Sequence, residues 1–139
     1  MSIIQTQTTS FKAELYQGVH NLLTDTLYMA LYTGFANLGP DTTVYTSANE
    51  VTGQSGYTAA GIQVTGATVN TSGYIAYVNF NNVVWANSNI TARCALLYNQ
   101  SKGNKSICVI DFGSNKTMVN FTITMPVNSS TTALIRSSN

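Results

Sequence analysis

The residues able to do chemistry are few and scattered. The chain has one histidine, His20, five acids (Glu14, Asp25, Asp41, Glu50 and Asp111) and two cysteines, Cys94 and Cys108. A histidine works as a general base only beside the group it deprotonates and, usually, a partner that orients it. No spacing here supplies either, so His20 reads as a satisfied or solvated residue. The acids form no close pair of the kind that glycoside hydrolysis requires. The Asp41–Glu50 stretch could be imagined around calcium, but it lacks the alternating oxygen ligands of a calcium loop. Cys94 and Cys108 have no third cysteine or histidine nearby from which to build a zinc site. The expectation is a chain with no catalytic residues, no metal and no cofactor, hence not an enzyme.

The element that must organise everything else begins at the only tryptophan, Trp85. After the polar turn Asn87-Ser88-Asn89, Thr91 to Asn99 reads as a strand. The turn residues Gln100-Ser-Lys-Gly-Asn104 follow, then a second strand from Lys105 to Phe112. Two such runs joined by a short glycine-containing loop predict a β-hairpin. With Gln100 to Lys102 as the loop, Asn99 faces Gly103 and Cys94 faces Cys108. One face then carries Ala92, Cys94, Leu96 and Tyr98 beside Cys108 and Ile110. The other carries Ala95 and Leu97 beside Ile107 and Val109. Both faces are apolar, so the hairpin should be covered on both sides, by a second sheet on one and a helix or neighbouring subunit on the other. Arg93 becomes the diagonal neighbour of Asp111, within reach for an ion pair at the sheet rim. The two thiols should stay free, because directly opposed strand positions strain a disulfide.

Before the hairpin, residues 1–9 read as an extended N-terminal arm. Thr9 or Ser10 can cap a helix of about three turns whose apolar residues are Phe11, Leu15, Val19 and Leu22. Thr26 to Thr33 alternates Leu27, Met29 and Leu31 with Tyr28, Ala30 and Tyr32. Gly34 to Gly61 has little periodicity and reads as a long surface excursion, ordered by Phe35, Tyr45 and Tyr57. Short strands then follow from Ile62, with turns at Asn70–Gly73, Asn81-Asn82 and Phe112–Asn115. Val119 to Met125 and Thr132 to Arg136 are the last strands. Seven to nine short strands and one helix predict a mainly β chain, a jelly-roll-like β-sandwich with one N-terminal helix, forming a single domain over 1–139.

Charged residues are only 8% of the chain and the net charge is +1, against about 25% in ordinary soluble domains. Asn, Ser and Thr take their place. Such a surface can be buried against a partner with little charge desolvation. Six lysines and arginines without a basic stripe argue against nucleic acid. No apolar run approaches the ~20 residues of a membrane span, and Met1-Ser-Ile-Ile-Gln-Thr has no signal-peptide pattern. The excess of tyrosine, eight residues, could form an interface belt.

The segments Phe11-Lys-Ala-Glu-Leu-Tyr-Gln-Gly-Val-His20, Asp25-Thr-Leu-Tyr-Met-Ala-Leu-Tyr-Thr33, Thr43-Val-Tyr-Thr46, Asn49-Glu-Val51 and Gly56-Tyr-Thr-Ala-Ala-Gly61 stand in a definite order. They are followed by Val84-Trp85, Ile90-Thr-Ala-Arg93, Tyr98-Asn99, Lys102-Gly-Asn104 and Asp111-Phe-Gly113. As a set they resemble small structural proteins of tailed-bacteriophage virions, most of all capsid cement or decoration proteins of jelly-roll type. The resemblance implies a homo-oligomer, dimer or trimer, that is made in the host bacterial cytoplasm and sits on the capsid exterior, bound to the major capsid protein. The other reading is a tail, fibre or receptor-binding β-sandwich that recognises carbohydrate. Neither uses nucleic acid or a membrane. The arm (Ile3, Ile4) and the excursion (Phe35, Leu38, Tyr45, Tyr57) are the expected contacts with capsid or neighbouring subunit.

Overall fold

The computed structural model describes residues 2–137; Met1, the first residue of the expected arm, lies outside the described residues. The chain is a mainly β sandwich with a single helix. Its elements are β1 (Thr6–Gln7), α1 (Thr9–Tyr16), β2 (Leu27–Tyr32), β3 (Ile62–Val64), β4 (Thr68–Ser72) and β5 (Ile75–Asn79). They continue with β6 (Val83–Val84), β7 (Asn89–Asn99), β8 (Lys105–Val119), β9 (Thr122–Ile123) and β10 (Ile135–Ser137). One layer is a five-stranded sheet in the order β1-β8-β7-β2-β3. The other is built from the three-stranded sheet β10-β5-β4 and the pair β6-β9.

The helix is shorter than its apolar spacing predicts, and Gly18 is the reason. Thr8, rather than Thr9 or Ser10, is the N-cap, its side chain accepting from the Phe11 N–H. At the other end Gly18 adopts φ +72°. Its N–H bonds Leu15 O and the Val19 N–H bonds Glu14 O. This double closure, with a glycine in the left-handed region, ends a helix. Only Phe11 of α1 is buried, while Leu22 reaches the core from beyond the helix.

The β7–β8 hairpin is central, as its sequence predicts, but its register differs. The loop extends through Gly103 and Asn104, both at positive φ, so that Asn99 faces Lys105 instead of Gly103. Ile107 is then an extra residue: Tyr98 faces Ser106 while Leu97 faces Cys108. A second bulge sets Arg93 against residues 112–115, between Cys94–Asp111 and Ala92–Lys116. The turn expected at Phe112–Asn115 is therefore a bulge inside one 15-residue strand. A bulge adds a residue to one strand and re-aims the side chains around it. Val109 joins Cys94, Leu96 and Tyr98 on one face. Cys108 and Ala92 join Ala95 and Leu97 on the other.

Both faces of the sheet are covered. The larger core lies between the layers, where Trp85, Phe121, Phe80, Ile123 and Ile135 meet Leu27, Met29, Leu31 and Leu97, with Phe11 of the helix on the same side. The opposite face is covered by the protein's own Gly34–Gly61 segment, through Ala36, Leu38 and Tyr45, together with Ile3. The expected surface excursion is thus a lid on the sheet. It forms no regular strand and is held by single bridges, Tyr32 to Glu50, Val44 to Lys105 and Ser55 to Asn89.

Candidate functional site

The lid is fastened by a buried carboxylate. Glu50 Oε1 accepts from the Tyr45 hydroxyl at 2.5 Å. Its Oε2 accepts from the Tyr57 hydroxyl and from the Ala60 N–H at 2.8 Å. Ala60 is itself strained at φ +79°, and its carbonyl accepts from the Tyr98 hydroxyl at 2.6 Å. Tyr57 also accepts from the Leu31 N–H of β2 at 3.0 Å, and Tyr32 donates to Thr46 O at 2.6 Å. Burial, reinforced by the Glu50 charge, pushes the Tyr45 phenol up to about 12. It raises Tyr57 and Tyr32 as well, so these hydroxyls remain protonated donors at neutral pH. A buried carboxylate needs such compensation. Here three donors supply it, all from the lid itself, and Tyr57 and Ala60 carry the network on to Leu31 and Tyr98 of the sheet.

Two of the expected contact residues, Tyr45 and Tyr57, are therefore committed to an internal task. Leu38, another, is 2% exposed, on the inner side of the lid against the sheet. Phe35 and Ile4 do face solvent, at 68% and 49% exposure. Ile3 is partly buried against the second core. The arm is likewise built in: Thr6 and Gln7 pair with Val109 and Cys108, and Ile4 N–H bonds Leu38 O at 2.9 Å. Of the imagined calcium pair, Asp41 is exposed, whereas Glu50 turns both oxygens inward.

His20 lies beyond the end of α1 with its side chain 0% exposed. Its Nε2 stands 2.8 Å from Glu14 Oε1 and its Nδ1 2.9 Å from Asn99 Nδ2. An amide nitrogen can only donate, so Nδ1 accepts and the ring proton sits on Nε2, bonded to Glu14. Asn99 Nδ2 also donates to Asp25 Oδ2 at 2.7 Å. Turning the amide over would aim its oxygen at that carboxylate, which sets the orientation. Burial pushes the Asp25 carboxyl up, but bonds from the Asn21 N–H and Asn99, with Lys102 and His20 nearby, outweigh it and hold it below its usual value. Both ring nitrogens of His20 are thus occupied, and the cluster ties the helix end to the central strand. Glu14, His20 and Asp25 meet here, joined by an amide, Asn99, that lies 79 residues from His20 in the chain, and that separation hides the cluster in the sequence.

Arg93 Nε does reach Asp111 Oδ1, at 3.1 Å, although through the bulge and not as a diagonal pair. The Gly113 N–H, and then Arg93, lower the Asp111 carboxyl below its usual value. Cys94 and Cys108 do not face each other. Cys94 opposes Asp111 and Cys108 opposes Leu97, with their side chains in cores on opposite faces of the sheet. Burial pushes each thiol up to about 12. Titration of the unreduced, denatured protein should count two thiols, and the native protein should react slowly, because attack needs accessible thiolate. Finding no thiol would contradict this placement.

Among the described residues no group of three or more His, Cys, Asp or Glu side chains could hold a metal ion. No described helix is long and apolar enough to cross a membrane. A scan against protein-family models returned no match. Searches of curated proteins and of solved structures likewise returned none.

Proposed function

We propose that this chain is a capsid cement protein: it binds the outside of a phage head as a homo-oligomer and bridges neighbouring shell subunits. The observation that carries this reading is where the charge goes. Asp25 and Asp111 are paired with Lys102 and Arg93, Glu14 accepts from the His20 ring and Glu50 is held by tyrosines. Among the described residues Lys12, Asp41, Lys105, Lys116 and Arg136 carry charge outside an ion pair. What remains outside is largely hydroxyl and amide, with exposed apolar side chains such as Phe35, Ile4 and Val127. Such a surface can bury area against a partner while stranding few charges. Weak single contacts add up when an oligomer engages several sites at once. The sequence resemblance to phage cement proteins supports the same reading.

The purified protein should add stoichiometrically to bare capsids and raise their rupture temperature. Because the arm is part of the sheet, the useful variants are Phe35→Ser and Ile4→Ser, which alter exposed side chains. Together they should weaken capsid binding by about tenfold or more, as loss of an aromatic anchor does, and leave the domain folded. A protein that ignores capsids but is found at the tail tip would sink the cement reading and favour receptor binding.

A further inference from the structure

The free edges of the two layers are unequal. β1 and β10 offer two and three residues, and Gln7 Nε2 of β1 already donates to Arg136 O of β10 at 3.2 Å. β3 has three residues. β4 has five, Thr68-Val-Asn-Thr-Ser72, every one exposed. It is the edge of its sheet and pairs with β5 without a register shift. Among the described residues no backbone bond from another segment reaches it. Proteins ordinarily blunt such an edge with lysine, proline or a bulge. β4 has none of these.

We infer that β4 pairs antiparallel with β4 of a second copy, joining two three-stranded sheets into one continuous sheet across a two-fold axis. The phase of the backbone supports this pairing. Gly73 and Tyr74 form a two-residue turn with Gly73 at φ +59°, the position where a type II′ hairpin takes glycine. A two-residue hairpin closes on a hydrogen-bonded pair, here Ser72 and Ile75. Alternation along the ladder then points Ser72, Asn70 and Thr68 at β5 and turns the N–H and C=O of Val69 and Thr71 outward. Placing the axis at Asn70 sets Val69 opposite Thr71 of the second copy, and Thr71 opposite its Val69. Each pair exchanges two backbone bonds, while the two Asn70 side chains meet at the axis. The occupant is a second copy because the strand is self-complementary in this register and a net charge of +1 offers little repulsion. The contact is smaller than a standard interface, which suits an oligomer stabilised by multivalent docking. The inference rests on the self-association in the reading above and not on the capsid.

Sedimentation of the wild-type chain should show a dimer that dissociates on dilution. Thr71→Pro removes an N–H that β5 does not use, and edge strands tolerate proline there. It should weaken the dimer about thirtyfold, the effect of two lost backbone bonds, with an unchanged circular dichroism spectrum. Asn70→Lys should give monomers through repulsion at the axis, and mixing it with Asn70→Asp should restore a dimer. A wild-type monomer at all concentrations, or a dimer indifferent to both Thr71→Pro and Asn70→Lys, would overturn the inference. A dimer that forms as described but does not bind capsids would sink only the cement reading.

Discussion

Replacing Glu50 with alanine should destabilise the domain by about 3 kcal/mol, since each of three partly buried donors left without its partner costs about 1 kcal/mol, the low end of the range for buried groups. The substitution strands three donors together: the hydroxyls of Tyr45 and Tyr57 and the N–H of Ala60. It also loosens Ala60, whose left-handed backbone costs about 1–2 kcal/mol and is held by bonds on both sides, to Glu50 and from Tyr98. For a chain of 139 residues the melting temperature should fall by roughly 10 °C, given the usual unfolding entropy per residue. Glu50→Gln keeps an acceptor but brings an N–H₂ group where a donor already points, so it should fall between wild type and alanine. Hydrogen exchange should accelerate first in the lid, residues 34–61, because those are the backbone groups the carboxylate restrains. A melting temperature unchanged by Glu50→Ala would show that the lid is held by its apolar contacts alone.

Gly61→Ala should be more damaging still. Gly61 has φ +84°, and a Cβ there would lie 1.8 Å from Met29 O and 2.6 Å from Met29 C. Both are backbone atoms of β2, at the residue that pairs with Ile62. No side-chain rotation relieves such an overlap; β3 must leave the sheet. The expected result is a loss well above the ~1–2 kcal/mol of a left-handed alanine, seen as poor soluble yield or a steep fall in melting temperature. Gly53→Ala is the matched control. Gly53 has φ +68° with nothing within 4 Å of the added Cβ, so only the backbone cost applies. Equal effects at the two positions would mean that the Gly61 contact relaxes without consequence.

The local elements were legible in the sequence because their signals are local. Alternation of Leu27, Met29 and Leu31 with Tyr28, Ala30 and Tyr32 defined β2 and both its faces, and each set went where its period of two places it. The run from Cys94 to Tyr98, apolar throughout, marked the central strand, and its two apolar faces required cover on both sides. The Arg93–Asp111 pair followed from the same stretch. So did the mainly β class with one helix.

Tertiary structure decided the rest, for a physical reason that recurs. Strand register depends on the loop and on bulges, and a one-residue slip sends every side chain beyond it to the other face. The loop, two residues longer than the simple register takes it, moves Cys108 away from the position opposite Cys94, and Ile107 is the slip that then sends Cys108 to the other face. Gly18 ended a helix whose apolar spacing ran on, because closing its last carbonyls outweighed a stripe that Leu22 could complete from outside the helix. The lid has no periodicity to read, since its residues cover a face without joining the ladder. Its anchor, Glu50, takes meaning only from donors at Tyr45, Tyr57 and Ala60 that the fold gathers around it. The same holds for His20, which a lone position in sequence leaves without role and which Glu14 and Asn99 turn into a fastening between helix and sheet.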